Sequence, residues 1–150
     1  MNTPMNECAI LRFAGQYRFL SNFAYSDVLY GEEWYNTVEH AYQAAKTNDK
    51  EEQKSIRNAL SPGDAKSLGQ KATLIPEWEE VKFDIMLNLL RKKFTNTELG
   101  DQLAMTCNHI LVEGNSRHDN TWGVCYCSKC NGWGRNHLGR LLMKVREELR

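Results

Sequence analysis

Two rhythms divide the hydrophobic positions of this chain, strand-like runs before Trp34 and mostly helical spacing after it. Cys8 to Phe13 reads as a short strand, followed by the segment Tyr17-Arg18-Phe19-Leu20-Ser21-Asn22-Phe23. Asp27 to Tyr30 and Glu33 to Tyr35 flank Gly31-Glu32, and a glycine leading a two-residue loop suits a type II′ hairpin. Trp34, Val38, Ala41, Tyr42 and Ala45 then follow the spacing of one buried helical face. A second helix is expected over Lys50 to Leu60. Ser61 caps a third, with Pro62 at its first position and Gly69 at its end. Val81, Ile85, Met86, Leu89 and Leu90 mark a fourth helix, and Thr97 to Cys107 a fifth. Ile110 to Glu113 is a short strand, and Gly114 to Asn136 a polar loop rich in glycine and cysteine. The last helix carries Leu138, Leu141, Leu142, Val145 and Leu149 as its stripe, with Asn136 as its cap. The pattern predicts an α+β fold, predominantly helical with a small N-terminal hairpin region.

Composition narrows the class. At 150 residues the chain fits one domain, 1–150, and shows no repeat or linker. It can bury roughly two-thirds of its unfolded surface without help from disulfides or metal. Nineteen Lys and Arg balance nineteen Asp and Glu, which argues against a protein that coats nucleic acid, although residues 125–150 hold six basic against two acidic side chains. No apolar run approaches the roughly 18 residues of a membrane span, and the polar N-terminus lacks an apolar signal core. The expected compartment is the cytoplasm. Five cysteines, three of them at Cys125, Cys127 and Cys130, then read as reduced thiols or a metal site.

Four constellations could carry chemistry. Glu39, Gln43 and Lys46 share one helical face at the edge of the apolar stripe. With Asn36 as N-cap, Glu39 would complete a capping box, and His40 alone would be an ordinary core histidine. Asp119, with Trp122-Gly123 three residues on, offers a carboxylate beside an aromatic ring, yet Asp-Asn-Thr is also ordinary turn chemistry. Cys125-x-Cys127-x-x-Cys130, with His118, His137 or Cys107 as a fourth ligand, suits structural zinc or simply reduced thiols under a loop. Gly132 to Gly139, opening the last helix, has the makings of a phosphate cradle or of a capped helix after a flexible loop.

Taken in order, these pieces match one family. They are Arg18-Phe-Leu-Ser-Asn22-Phe, Val38-Glu39-His40-x-Tyr-Gln43-x-x-Lys46 and Ser61-Pro-x-x-Ala-Lys66-x-Leu-Gly69. Trp78, Met86, Lys93-Phe94, Asp119-x-x-Trp122-Gly123 and Asn136-x-Leu-Gly139-x-x-Leu-Met143-x-Val-Arg146 follow. From about Arg12 onward the chain resembles the NADAR (YbiA-like) family. The resemblance implies an α+β N-glycosidase acting on a ribose joined through nitrogen to a base, with phosphate on the 5′ side. Two substrates are implied: ADP-ribose on guanine in nucleic acid, and phosphoribosylamino-pyrimidine intermediates of riboflavin synthesis. It implies catalytic roles for Glu39, Asp119 and Lys46. It puts Arg18, Asn22, His40, Gln43, Gly123, Asn136 and Arg146 on the substrate, with Trp78 and Trp122 stacking on the base. No cofactor is needed for such hydrolysis, and extended duplex binding, membranes and protein partners are not implied. The cysteine loop lies outside the motifs, which leaves it a structural role, with or without zinc. A nucleotide-binding module without catalysis, or a zinc-stabilised interaction domain, would use the same residues differently.

Overall fold

The computed structural model describes residues 8–150. The chain divides into two compact units, Met1–Ser21 with Asn96–Arg150, and Asn22–Thr95. Helices dominate both, and the described residues add three two-stranded sheets, so the class is α+β.

In the unit Asn22–Thr95, β2 (Val28–Tyr30) pairs antiparallel with β3 (Glu33–Tyr35), with Tyr30 opposite Glu33. The hairpin stands where the sequence puts it, but the turn differs. Gly31 and Glu32 both have positive φ, 56° and 72°, which is the type I′ pattern instead of II′. Trp34 belongs to β3, is 63% exposed, and does not start the next helix. That helix, α1 (Val38–Ala45), is buried along its whole length against α2 (Lys50–Arg57), α3 (Pro62–Gln70) and α4 (Trp78–Phe94). Such a helix exposes no face to water, so each polar side chain on it must find a partner inside the protein or bind a ligand.

Caps and breakers set the helix limits. Asp49 accepts from the N–H groups of Glu51 and Glu52, and Ser61 accepts from Asp64 with Pro62 behind it. The second helix stops at Arg57, short of the expected Leu60, because the Ala59 carbonyl turns to meet the His40 ring. Gly69 lies inside α3 and does not end it. Acidic Glu79 and Glu80 open α4 and basic Arg91, Lys92 and Lys93 close it, each matching the helix dipole.

Lys93 faces inward and is only 1% exposed, with its ammonium 5.0 Å from the centre of the Phe94 ring. Burial disfavours the charged form and lowers its pKa from 10.5 to about 7. Between those values the unfolded chain holds a proton that the folded chain has released. Stability therefore rises with pH across this window, by at most about 1.4 kcal/mol per pH unit. Lys93→Met is expected to abolish that rise while the cysteines, common to both proteins, titrate alike. Urea midpoints at pH 7, 8 and 9 under reducing conditions check this, and parallel curves would rule it out.

In the other unit, β1 (Ala9–Ile10) pairs in parallel with β4 (Ile110–Leu111), and α6 (His137–Glu148) packs on β4 and on α5 (Glu98–Ala104). A 3-10 helix over Gly15–Leu20 follows β1, which is shorter than the expected Cys8 to Phe13. Thr97 caps α5, which ends at Ala104, short of the expected Cys107; the chain continues in turns to Cys107, left-handed at φ 53°. Within the long loop, β5 (Gly114–Asn115) runs parallel to β6 (Val124–Cys125).

Candidate functional site

The cap of α1 decides what Glu39 does. Thr37, not Asn36, is the N-cap, accepting from the His40 N–H at 3.0 Å. Glu39 is then the second helical residue instead of the third, so the capping box expected from sequence does not form. Its carboxylate is buried, 7% exposed, and takes a hydrogen bond from Gln43 Nε2 at 2.6 Å. Its N–H donates to the Asn22 carbonyl at 3.1 Å.

Because the carboxylate needs a donor, the Gln43 amide must present its NH2 there and turn its oxygen away. Gln43 Oε1 is buried and accepts nothing among the described residues. The same is true of Asn22 Oδ1, while Asn22 Nδ2 has only the Met86 sulfur, at 3.6 Å. Two orphaned acceptors beside a buried carboxylate are costly, on the order of 1–3 kcal/mol each. They make sense when a ligand brings donors to them.

Lys46 extends this helix face. It is half-buried, with its ammonium 5.8 Å from the Tyr42 ring centre and no ion pair among the described residues. Burial lowers its pKa, the Glu39 charge opposes that, and Lys66 and Lys82 lower it further. Lys82 is itself paired with Glu79. Lys46 and Lys66 therefore bring positive charge to this face, offset in part by Glu39 and Glu79, a setting suited to an anion.

A second cluster lies in the loop 114–138. Asp119 is half-buried, and its Oδ1 accepts from the N–H groups of Thr121 and Trp122, at 3.2 and 2.9 Å. Its Oδ2 takes no hydrogen bond among the described residues. Asn115 organises this turn, accepting from the Arg117 and Asp119 N–H groups and donating to the Asp119 and Val124 carbonyls. The carbonyls of residues 120–123 in turn accept from the N–H groups of Arg135, Asn136, His137 and Leu138. The amides of Arg135 to Leu138, which open α6, are therefore used by the protein's own loop and are not free to hold a phosphate.

The family model described as the NADAR domain matches residues 12–150, and so runs through both units. The chain belongs to the NADAR domain family. It is 39% identical to "N-glycosidase Npun_R5314" of Nostoc punctiforme, over 89% of this chain and 86% of that protein. "N-glycosidase YbiA" of Escherichia coli K12 is 36% identical, over 89% and 82%. The solved NMR structure of E. coli YbiA superposes with a TM-score of 0.76 at 30% identity, covering 99% of this chain and 93% of that one. "Riboflavin biosynthesis protein VVA0006" of Vibrio vulnificus is 34% identical over 87% of this chain, which spans 35% of that longer protein.

In this NADAR chain, Asn22, Glu39, Gln43 and Lys46 come together in the unit Asn22–Thr95, whereas Asp119, Trp122 and Gly123 belong to the other. Several residues expected on a substrate have other work. His40 is fully enclosed, with Nδ1 2.8 Å from Thr37 Oγ1 and Nε2 3.1 Å from the Ala59 carbonyl. That carbonyl only accepts, so Nε2 carries the proton and both ring nitrogens are committed. Arg146 is buried, its Nη1 donating to Thr106 Oγ1 and the His109 carbonyl. Asn136 occupies the N-cap position of α6, yet its side chain makes no cap there. It donates to the Leu111 carbonyl and accepts from the Glu113 N–H. Gly123 is required by packing, since a Cβ there would meet the Glu113 carbonyl at 2.1 Å. Trp78 is 4% exposed and tilted against Tyr42, with centroids 5.1 Å apart, so it offers no open stacking face. Trp122 is half-buried with an edge contact to His137, and Arg18 is exposed on the 3-10 helix. Asn115 was not singled out in the sequence, and nothing there could mark it, because its partners are backbone groups.

Gly69 supports the Glu39 cluster from α3. A Cβ at this position would lie 1.9 Å from Gln43 Oε1 and 2.9 Å from Gln43 Cβ. Gly69→Ala is therefore expected to push Gln43 off the carboxylate. The gain of about 1 kcal/mol in helix propensity should be outweighed by a loss of about 1–3 kcal/mol from overpacking. Adding Gln43→Ala should restore stability without activity. Denaturant midpoints of the single and double variants measure this, and an alanine variant as stable as wild type would contradict it.

Proposed function

We propose that this protein is an N-glycosidase that hydrolyses the bond between a base nitrogen and a 5′-phosphorylated ribose, with ADP-ribose on guanine as its substrate. The observation that carries the reading is the buried Glu39 carboxylate with the two orphaned oxygens of Gln43 and Asn22. A ribose brings hydroxyl donors for acceptors of this kind, and its anomeric carbon brings the charge that a carboxylate favours. When the C1′–N bond breaks, its electron pair leaves with the base and positive oxocarbenium character builds on the sugar. Glu39 stabilises that charge, and Glu39 or Asp119 accepts a proton as water adds its oxygen to C1′. The proton finally appears on the base nitrogen, so the products are the unmodified base, still part of its nucleic acid, and the free sugar. No oxidation state changes, and the reaction calls for no redox cofactor. Lys46, with Lys66 nearby, supplies the positive charge a 5′-phosphate would meet.

A second reading follows from the Vibrio relative, whose name ties it to riboflavin biosynthesis. A phosphoribosylamino-pyrimidine presents the same ribose and phosphate to the same groups. Mass spectrometry of products from both substrates separates the two. Free ADP-ribose with intact guanine is expected from an ADP-ribosylated guanine oligonucleotide. Ribose 5-phosphate released from the pyrimidine alone would move the assignment to the second reading. Tight binding of either without product would make the protein a reader and defeat the proposal.

A further inference from the structure

His118, Cys125, Cys127 and Cys130 present four ligand atoms that all lie within 4.8 Å of one another. The His118 Nδ1 is 3.4 Å from Cys127 Sγ and 3.5 Å from Cys130 Sγ. A zinc ion with Zn–S of about 2.3 Å and Zn–N of about 2.0–2.1 Å sets sulfur and nitrogen about 3.5 Å apart on a tetrahedron. Of the alternatives for the fourth ligand, His137 contacts Trp122 and the Cys107 thiol points to the Met105 carbonyl. From these distances the geometry points to a zinc site formed by His118, Cys125, Cys127 and Cys130.

The backbone around the cluster is arranged for thiolates. The Cys130 N–H donates to Cys127 Sγ at 3.3 Å, and the His118 N–H donates to Cys125 Sγ at 3.3 Å. Such bonds offset negative charge on sulfur and fix the direction of the ligands. Cys125 is fully buried, and its backbone is held to Trp133 and Gly132. His118 itself is left-handed at φ 65°, a conformation the surrounding turn has to hold. The Cys130 thiol lies 3.6 Å from Asn120 Oδ1, a contact given up when that thiol loses its proton. Binding releases one proton from each of three thiols and leaves His118 coordinating through Nδ1. Four protein ligands close the tetrahedron, so the ion has a structural role and no open position for a substrate.

The site has a consequence for the loop beside it. His118 immediately precedes Asp119, and Cys125 is the last residue of β6, the strand that Gly123 leads into, so the ion clamps both ends of the turn 118–125. Zinc thereby positions the Asp119 turn without touching substrate.

Metal analysis of the full chain, purified under reducing conditions without chelator, is expected to give one zinc per chain. Cobalt substitution should yield the intense visible bands of a tetrahedral thiolate site. Cys127→Ser should lose the metal, whereas Cys107→Ser should retain it, because Cys107 is exposed outside the cluster. Alkylation of wild-type protein reads the same question whatever a variant does. The zinc-loaded protein should take up two adducts, at the exposed Cys8 and Cys107, and five after chelation in denaturant, which also opens the buried Cys125. Five adducts in zinc-treated reduced protein, or a Cys127–Cys130 disulfide that refuses zinc after reduction, would overturn the site.

Discussion

Glu39→Gln is expected to lower turnover by about 10²–10³-fold, the cost of removing one preorganised electrostatic group from a transition state. Glutamine has the same shape, and its side-chain oxygen can still accept from Gln43 Nε2, so the local hydrogen bond survives. What disappears is the charge that answers the oxocarbenium ion. Substrate binding should change little, because ribose hydroxyls and phosphate meet their partners in the ground state. The loss should therefore fall on kcat and leave KM near its original value. Stability should hold or rise, because a buried carboxylate is costly to keep and its neutral isostere is not. Single-turnover rates and urea midpoints on the same preparation check both halves. A fully active Glu39→Gln protein would show that the buried carboxylate is only a packing feature of α1, and the glycosidase reading would lose its centre.

How far the sequence could be read depended on the range of the interactions involved. Local chemistry was legible: Ser61-Pro62 opens α3, Gly31-Glu32 turns the hairpin, and the apolar spacing of α1, α4 and α6 marks real helices. The cap of α1 failed by one residue, and that slip changed the meaning of Glu39. Asn36 and Thr37 are both good caps, and Glu39 and His40 stand third after them respectively. Thr37 wins because its hydroxyl is engaged twice, by the His40 N–H and by Nδ1 of the same ring. The second miss is of another kind. The family resemblance, not any local pattern, puts Asn136 and Arg146 on the substrate, and Arg146 stands in the last turn of α6. Their partners, at Leu111, Glu113, Thr106 and His109, are some 20 to 40 residues away, mostly as backbone groups. No periodicity or spacing encodes a bond from a side chain to a distant carbonyl. The four-ligand cluster fell between these cases. Its three cysteines are local, but choosing His118 over His137 required the fold of the turn 118–125.

Asp119→Asn is expected to leave the fold intact and cut turnover by about 10²-fold or more. The structure makes this a clean substitution. Asp119 Oδ1 already serves the Thr121 and Trp122 N–H groups, and an asparagine oxygen can take over both bonds. Those two bonds, with Asn115 gripping the backbone on either side, fix the carboxyl plane and hence the direction of Oδ2. A turn former needs only the first oxygen. A group that orients water or answers positive charge needs the second, held still and negatively charged, and that is the atom the amide replaces. Melting temperature and metal content should therefore match wild type, which separates this effect from disturbance of the neighbouring His118 cluster. Asp119→Ala makes the contrast, since it should lose the turn as well and fall in both stability and rate. Rates for Asp119→Asn equal to wild type on every substrate the protein cleaves would assign the carboxylate to the turn alone.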